Sequence, residues 1–157
     1  MIPIPFVIRA VLFDFDGTLT LPGALDFGTF KAAIGCPADM PVLEFLEALP
    51  VGGQREAAAA DLECFEMAAA ARSLPNPEAE QILRELRRRG LKVGIVTRNC
   101  ARSVARALEN FSGLGVRDFD LIVSRDAPVR PKPSADGILL AARTLAVAPQ
   151  DILMVGD

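Results

Sequence analysis

The sequence predicts an α/β protein built on a doubly wound parallel sheet, with a small helical cap inserted after the first strand. Three observations carry this. Apolar runs of strand length recur at Ala10 to Phe13, Leu91 to Val96, Phe119 to Val123 and Ile152 to Val155. Helical patterns separate the later runs, and strands that alternate with helices build parallel sheets. Polar residues Asp14, Thr97 and Asp157 each follow a strand. Ligands of a doubly wound sheet bind beyond the carboxyl ends of its strands, at the point where strand order reverses.

Taken in order, Ala10-Val11-Leu12-Phe13 is a buried strand closed by Asp14-Phe15-Asp16-Gly17 and then Thr18-Leu19-Thr20. The pattern next turns helical. Met40 to Leu49 places Val42, Leu43, Phe45, Leu46 and Leu49 on one broad face, and Gln54 to Arg72 is alanine-rich, with Leu62, Phe65 and Met67 spaced for packing. Residues 21–73 are therefore expected to form the cap, and residues 1–20 with 74–157 the core. Asn76-Pro77-Glu78 combines an N-cap, a proline at the first helical position and an early acid. That helix runs through Ile82, Leu83 and Leu86 to Gly90. After the second strand, Asn99 is expected to cap a helix carrying Val104 and Leu108. Ser134 is expected to cap the helix of Ile138, Leu139 and Leu145.

The chemistry concentrates at the end of the first strand. Side chains i and i+2 share a face of a strand, so Asp14 and Asp16 converge if the strand ends between or just after them. Two such carboxylates repel unless a cation or a shared proton relieves them. The expectation is a magnesium-dependent active site in place of a solvated Asp-x-Asp-Gly turn.

Asp-Phe-Asp-Gly-Thr-Leu, then Thr97-Arg98-Asn99 after a strand, Lys132 ahead of a helix and Gly156-Asp157 after the last strand form an ordered set. In that set the chain resembles the haloacid dehalogenase superfamily, nearest its phosphoglycolate phosphatase and β-phosphoglucomutase-like branch. The likeness runs from about Val11 to the last residue and is poor between Leu21 and Ser73. It implies a phosphatase acting on a small phosphomonoester through an aspartyl-phosphate. Asp14 would be the nucleophile. Asp16 would be the general acid and base, its carbonyl also facing the metal. Thr97 would bind a phosphoryl oxygen, with Arg98 contributing at least its amide, and Lys132 would neutralise charge on the aspartate and phosphoryl group. Mg²⁺ would be held by Asp14, Asp16 and Asp157. Dehalogenases of the family usually lack the second carboxylate, so Asp16 favours phosphoryl transfer. The Lys-Pro-x-Pro-Asp pattern of relatives fits two registers here. Lys132-Pro133-Ser134-Ala135-Asp136 keeps the lysine and is preferred to the register that begins at Arg130. Relatives also carry a further acid, a helix and a strand past the Gly-Asp, so the C-terminal part of the core is expected to be missing from this chain.

Composition narrows the alternatives. At 51% hydrophobic and 24% charged residues, with net charge −3, the chain has the make-up of a folded, soluble domain and lacks the basic face of a nucleic-acid binder. Arg84, Arg87, Arg88 and Arg89 form its dense basic group, read as a helix end that complements the macrodipole. Three cysteines at unrelated spacings argue against a disulfide framework, and the absence of histidine excludes Ser-His triads and His-ligated metals. No apolar run approaches the roughly 20 residues that span a bilayer, and Met1 to Ile8 lacks the basic start of a signal peptide. A cytoplasmic protein is expected, monomeric or weakly dimeric, whose partner is a small phosphorylated metabolite and neither nucleic acid nor membrane. Between Thr20 and Glu78 stand nine acids against three bases. That charge balance disfavours a bisphosphate-using phosphomutase, the nearest alternative. A receiver-type signalling domain and a catalytically inactive binding module of the same fold are the readings from other classes.

Overall fold

A computed structural model of the chain describes residues 7–156. Four parallel strands, β1 (Ala10–Phe13), β2 (Lys92–Val96), β3 (Leu121–Val123) and β4 (Ile152–Val155), form one sheet in the order β3-β2-β1-β4. Phe13 of β1 is level with Ile95 on one side and Val155 on the other. The chain thus builds outward from β1 through β2 to β3, then crosses back to place β4 on the opposite flank. β1 lies at the reversal of strand order, and its carboxyl end is the place this topology reserves for a ligand.

The alternation of side chains along each strand divides the core into two layers. Val11, Phe13, Val93 and Ile95 face α4 (Ala79–Arg88) and α5 (Ala101–Leu108), joining Leu83, Val104, Leu108 and Phe111. Leu12, Val96 and Val123 face α6 (Asp136–Leu145), joining Ala141, with Ile138 and Met154 packed around them. Gly94 fits this second face because nothing larger can. A Cβ there would stand 2.8 Å from Leu12 Cδ2 and 3.0 Å from the Leu121 carbonyl.

Between β1 and α4 the chain forms three helices, α1 (Phe27–Ile34), α2 (Val42–Ala48) and α3 (Gly53–Arg72). Phe30, Val42, Leu43, Leu46 and Leu62 give them an apolar cluster of their own, with Phe30 and Phe65 stacked at a centroid distance of 4.5 Å. The segment leaves and rejoins the core at one spot. Thr20 and Pro75 form an isolated antiparallel bridge, with Leu21 N–H on the Leu74 carbonyl and Asn76 N–H on that of Leu19, both at 2.8 Å.

Several boundaries differ from the sequence expectation, each for a local reason. Helix α1 was not expected. It is capped by Asp26, which accepts from Thr29 N–H at 3.1 Å, and it ends on Gly35 in the left-handed region at φ 71°. Helix α2 begins at Val42, since Pro41 holds an extended backbone. Asn76 does not cap α4 in the standard way. Glu78 occupies the N-cap in a helical conformation, and the Asn76 amide donates to the Thr18 carbonyl at 3.0 Å. Cys100, not Asn99, caps α5, accepting from Ser103 N–H at 3.4 Å. Ala135 precedes α6, and Ser134 accepts from Asp136 N–H at 3.2 Å. Strand β3 starts two residues late because Asp120 closes the ladder itself, its carboxylate accepting from Val93 N–H at 2.9 Å. In the basic group at the end of α4, Arg84 pairs with Glu80 and Arg88 and Arg89 with Glu85, while Arg87 donates to the Asp118 carbonyl. The three cysteines are free.

Candidate active site

The turn after β1 is set from beneath. Phe15 and Leu19 are both buried, and Leu19 N–H bonds the Phe15 carbonyl at 2.9 Å. Gly17 takes φ 75°, a conformation a side chain would resist. With the apolar residues anchored, Asp14 and Asp16 turn to the same side and line one cavity of about 430 Å³ with Thr97, Arg98 and Lys132. The other wall of the cavity comes from the inserted segment and is largely apolar, with Leu21, Leu25, Phe27, Val42 and Leu62 on it and Lys31 as its cation.

Asp14 is held at both ends. Its N–H continues the β1 ladder to the Val155 carbonyl at 2.8 Å. Its Oδ1 accepts from Phe15 N–H at 2.7 Å and pairs with Lys132 Nζ at 2.6 Å. Lys132 belongs to the loop between β3 and α6. Two residues away, Arg130 turns outward and pairs with Asp136 at 2.8 Å. Of the two candidate bases, Lys132 is the one beside the aspartates.

Asp16 Oδ2 accepts from Asn99 Nδ2 at 2.6 Å. Burial lifts its carboxyl from the ordinary 3.8 to about 6; the Asn99 bond opposes the rise, the charges of Asp14 and Glu66 add to it, and Lys132 tempers it. Thr97 follows β2 directly, its N–H on the Val123 carbonyl at 2.9 Å. The Thr97 hydroxyl oxygen accepts from Asn99 N–H at 3.2 Å, so its own proton remains to be donated. The Arg98 guanidinium donates to Glu44 Oε2 of α2 at 2.5 Å and to the Lys132 carbonyl at 2.7 Å. Asp157 lies outside the described residues. Among the described residues no group of three or more Cys, Asp or Glu is placed to hold a metal ion.

Two participants escaped the sequence reading. Asn99, expected from sequence to cap a helix, instead supplies the amide on Asp16. Glu66, on α3, is 3% exposed and lines the cavity. It bonds Arg125 through both oxygens and accepts from Cys100 N–H at 3.1 Å. The signal for Glu66 was present. Leu62 and Ala69, four residues before and three after it, share its helical face, so the acid interrupts an apolar stripe.

A family model described as haloacid dehalogenase-like hydrolase matches residues 8–157. An uncharacterized hydrolase of Saccharomyces cerevisiae is 34% identical over 152 residues, spanning 96% of this chain and 69% of that protein. An N-acetylmuramic acid 6-phosphate phosphatase of Pseudomonas aeruginosa is 28% identical over 169 residues, covering 96% of this chain and 74% of its own. The crystal structure of CbbY from Rhodobacter sphaeroides, in complex with phosphate, superposes with a TM-score of 0.67 at 25% identity, over 94% of this chain and 77% of that one. The chain belongs to the haloacid dehalogenase-like hydrolases. It is an enzyme of that class, with phosphatases among its relatives. Among the described residues no helix is long and apolar enough to cross a membrane.

Proposed function

We propose that this protein hydrolyses a small phosphomonoester with Mg²⁺, through an aspartyl-phosphate on Asp14. In this reading residues 21–73 act as a cap that closes one side of the cavity over the core. The observation that carries the reading is the convergence of Asp14, Asp16, Thr97 and Lys132 on one cavity, with the Lys132 ammonium 2.6 Å from Asp14. A phosphate ester demands in-line alignment and compensation of charge more than covalent help, and this set offers both.

The donors fit a magnesium ion in kind. They are hard carboxylate oxygens, with neither histidine nor thiolate in the set, and Mg²⁺ takes oxygen ligands while keeping several waters. Lys132 and the Phe15 amide both engage Asp14 Oδ1, which leaves Oδ2 on the side of Gly156. Asp14, the Asp16 carbonyl and Asp157 would hold the ion. When bound, it neutralises phosphoryl charge as a Lewis acid.

The chain's own residues then divide the work. Asp14 attacks phosphorus, and the bond from phosphorus to the leaving oxygen breaks. Asp16, whose carboxyl is lifted to about 6 and so holds a proton near neutral pH far more readily than an ordinary carboxyl, gives its proton to that oxygen. The resulting Asp16 carboxylate then takes a proton from water as the water attacks the aspartyl-phosphate. Inorganic phosphate leaves and Asp14 is regenerated. Thr97 holds a phosphoryl oxygen through its hydroxyl, and Lys132 offsets the charge that gathers on Asp14 and the phosphoryl group. The largely apolar cap wall, in a segment rich in acids, favours hydrolysis of a monophosphate over use of a bisphosphate.

A panel of phosphomonoesters with Mg²⁺ tests this, with Asp14→Asn as the control. Turnover in the native protein and none above background in Asp14→Asn is expected, with phosphorylated Asp14 found by mass spectrometry in Asp16→Ala. An Asp14→Asn protein that keeps more than a few per cent of the native rate rules out the nucleophile.

A further inference from the structure

Arg98 occupies an unusual crossing in the molecule. It sits in the loop after β2, next to Thr97, and its side chain joins two elements remote in sequence. One arm meets Glu44 in the first turn of α2 at 2.5 Å, and the other meets the main-chain carbonyl of Lys132 at 2.7 Å. We propose that Arg98 is a positioning residue for the reaction: anchored by Glu44 of the inserted segment, its guanidinium fixes the Lys132 backbone and so aims the Lys132 ammonium at Asp14. This rests on the reading of Lys132 as the base that compensates charge at Asp14.

The loop that carries Lys132 has little to hold it otherwise. Its local closure is a single turn, Ser134 N–H on the Pro131 carbonyl at 3.0 Å. The neighbouring Arg130–Asp136 pair lies at the surface, with Arg130 80% exposed. Among the described residues, the hydrogen bond that reaches the 130–134 main chain from outside that segment is the one from Arg98. The anchor is stiffened from behind as well. The Arg98 carbonyl accepts from Arg125 at 3.3 Å, and Arg125 is paired with buried Glu66 of α3. Two inserted helices therefore hold the loop that holds Lys132.

The same contacts argue against Arg98 as a direct ligand of the phosphoryl group. Its charge is met by a carboxylate at 2.5 Å, and the Glu44 carboxyl is held below its usual range by that bond. A planar guanidinium presents its donors in a rigid fork. With its terminal nitrogens on Glu44 and Lys132, turning them to phosphate breaks both contacts. The Arg98 main-chain N–H remains the part suited to a phosphoryl oxygen.

Steady-state kinetics on p-nitrophenyl phosphate with Mg²⁺ separates the two roles, using Arg98→Ala, Glu44→Gln and the double variant. Positioning predicts a fall in kcat of about 10- to 100-fold in Arg98→Ala, the scale of a misplaced catalytic group, with KM within about threefold. Glu44→Gln should fall in the same direction by less, and the double variant should match Arg98→Ala, since both act through one link. A second readout needs no turnover. The chain has three lysines, and acetylation by an N-hydroxysuccinimide ester, followed by mass spectrometry, should label Lys132 faster in both variants than in the native protein, with Lys31 and Lys92 as internal references. Glu44→Gln preserves shape and keeps the test open if Arg98→Ala does not fold. A raised KM with kcat retained in Arg98→Ala, multiplicative losses in the double variant, or unchanged Lys132 labelling overturns the proposal. A native protein inert toward the ester counts against the phosphatase reading, while the labelling contrast still decides the coupling.

Discussion

Replacing Asp16 by asparagine should abolish turnover and make the fold more stable at neutral pH. The carboxyl of Asp16 is lifted from 3.8 to about 6, chiefly by burial, so folding at pH 8 forces an ionised group into a site that resists the charge. At about 1.4 kcal/mol for each pH unit, that rise corresponds to a penalty on the order of 3 kcal/mol. Solvent at the cavity mouth screens part of it, leaving an expected gain of roughly 1–2 kcal/mol. Asparagine keeps an oxygen to accept the Asn99 amide and carries no charge. The sign follows from linkage. Above about pH 6 the carboxyl is ionised in both folded and unfolded chains and the penalty is full; it declines as pH falls through the folded value and is nearly gone below the unfolded value of 3.8. Thermal melts in EDTA, which keeps divalent cations from masking the effect, should show Asp16→Asn melting roughly 3–6 °C above the native protein at pH 8. The gap should shrink steadily toward pH 4.5. A variant that melts at or below the native temperature at pH 8, or a gap that does not change with pH, would refute burial as the source of the shift.

Lys132→Ala should lower kcat/KM by about 100-fold or more, whereas Arg130→Ala, which removes only an exposed pair with Asp136, should stay within a few-fold; the reverse ranking in a steady-state assay moves the compensating charge to Arg130. Gly94→Ala should cost about 1–3 kcal/mol in urea unfolding, because its methyl group meets Leu12 Cδ2 at 2.8 Å and a carbonyl of β3 at 3.0 Å; an unchanged midpoint means the sheet yields there. Glu66→Ala should cost about 3 kcal/mol or more by the same measurement, since it strands Arg125 beside a cavity with its carboxylate partner gone; a loss below about 1 kcal/mol shows that the pair is not worth its desolvation.

The core was legible where one physical signal dominated. β1 and β4 have the bounds their apolar runs suggest, because each run is continuous and stops at a polar residue or glycine. The parallel order followed from alternation of strands with helices. Features with two competing uses for one residue were not legible. Asn99 has the chemistry of a helix cap, and only the fold reveals that Asp16 takes its amide while a cysteine does the capping. Helix α1 carries a glycine and a threonine in its first turn, which dilutes its helical pattern, and its announcement lies in Asp26 and Gly35 at its ends. Arg130 and Lys132 cannot be told apart by spacing, since an irregular loop sets no periodic direction for side chains. Only the path of the backbone sends one to Asp14 and the other to Asp136.

The neck at Thr20 and Pro75 has a consequence for how this architecture diversifies. Because the inserted helices depart and return through adjoining residues, the core senses almost nothing of their length. Closing a loop whose ends are already fixed grows costlier by only about 0.6 kcal/mol for each doubling of its residues. Helices can be added or exchanged at this junction with the sheet left in register, provided α3 keeps its packing against α5, where Ala70 joins the core. What such a graft must reproduce is specific: carboxylates for Arg98, Arg102 and Arg125, and the Ala70 carbonyl that takes the Asn110 amide. The inserted segment can therefore vary while three acidic positions within it, Glu44, Glu63 and Glu66, remain answerable to the core.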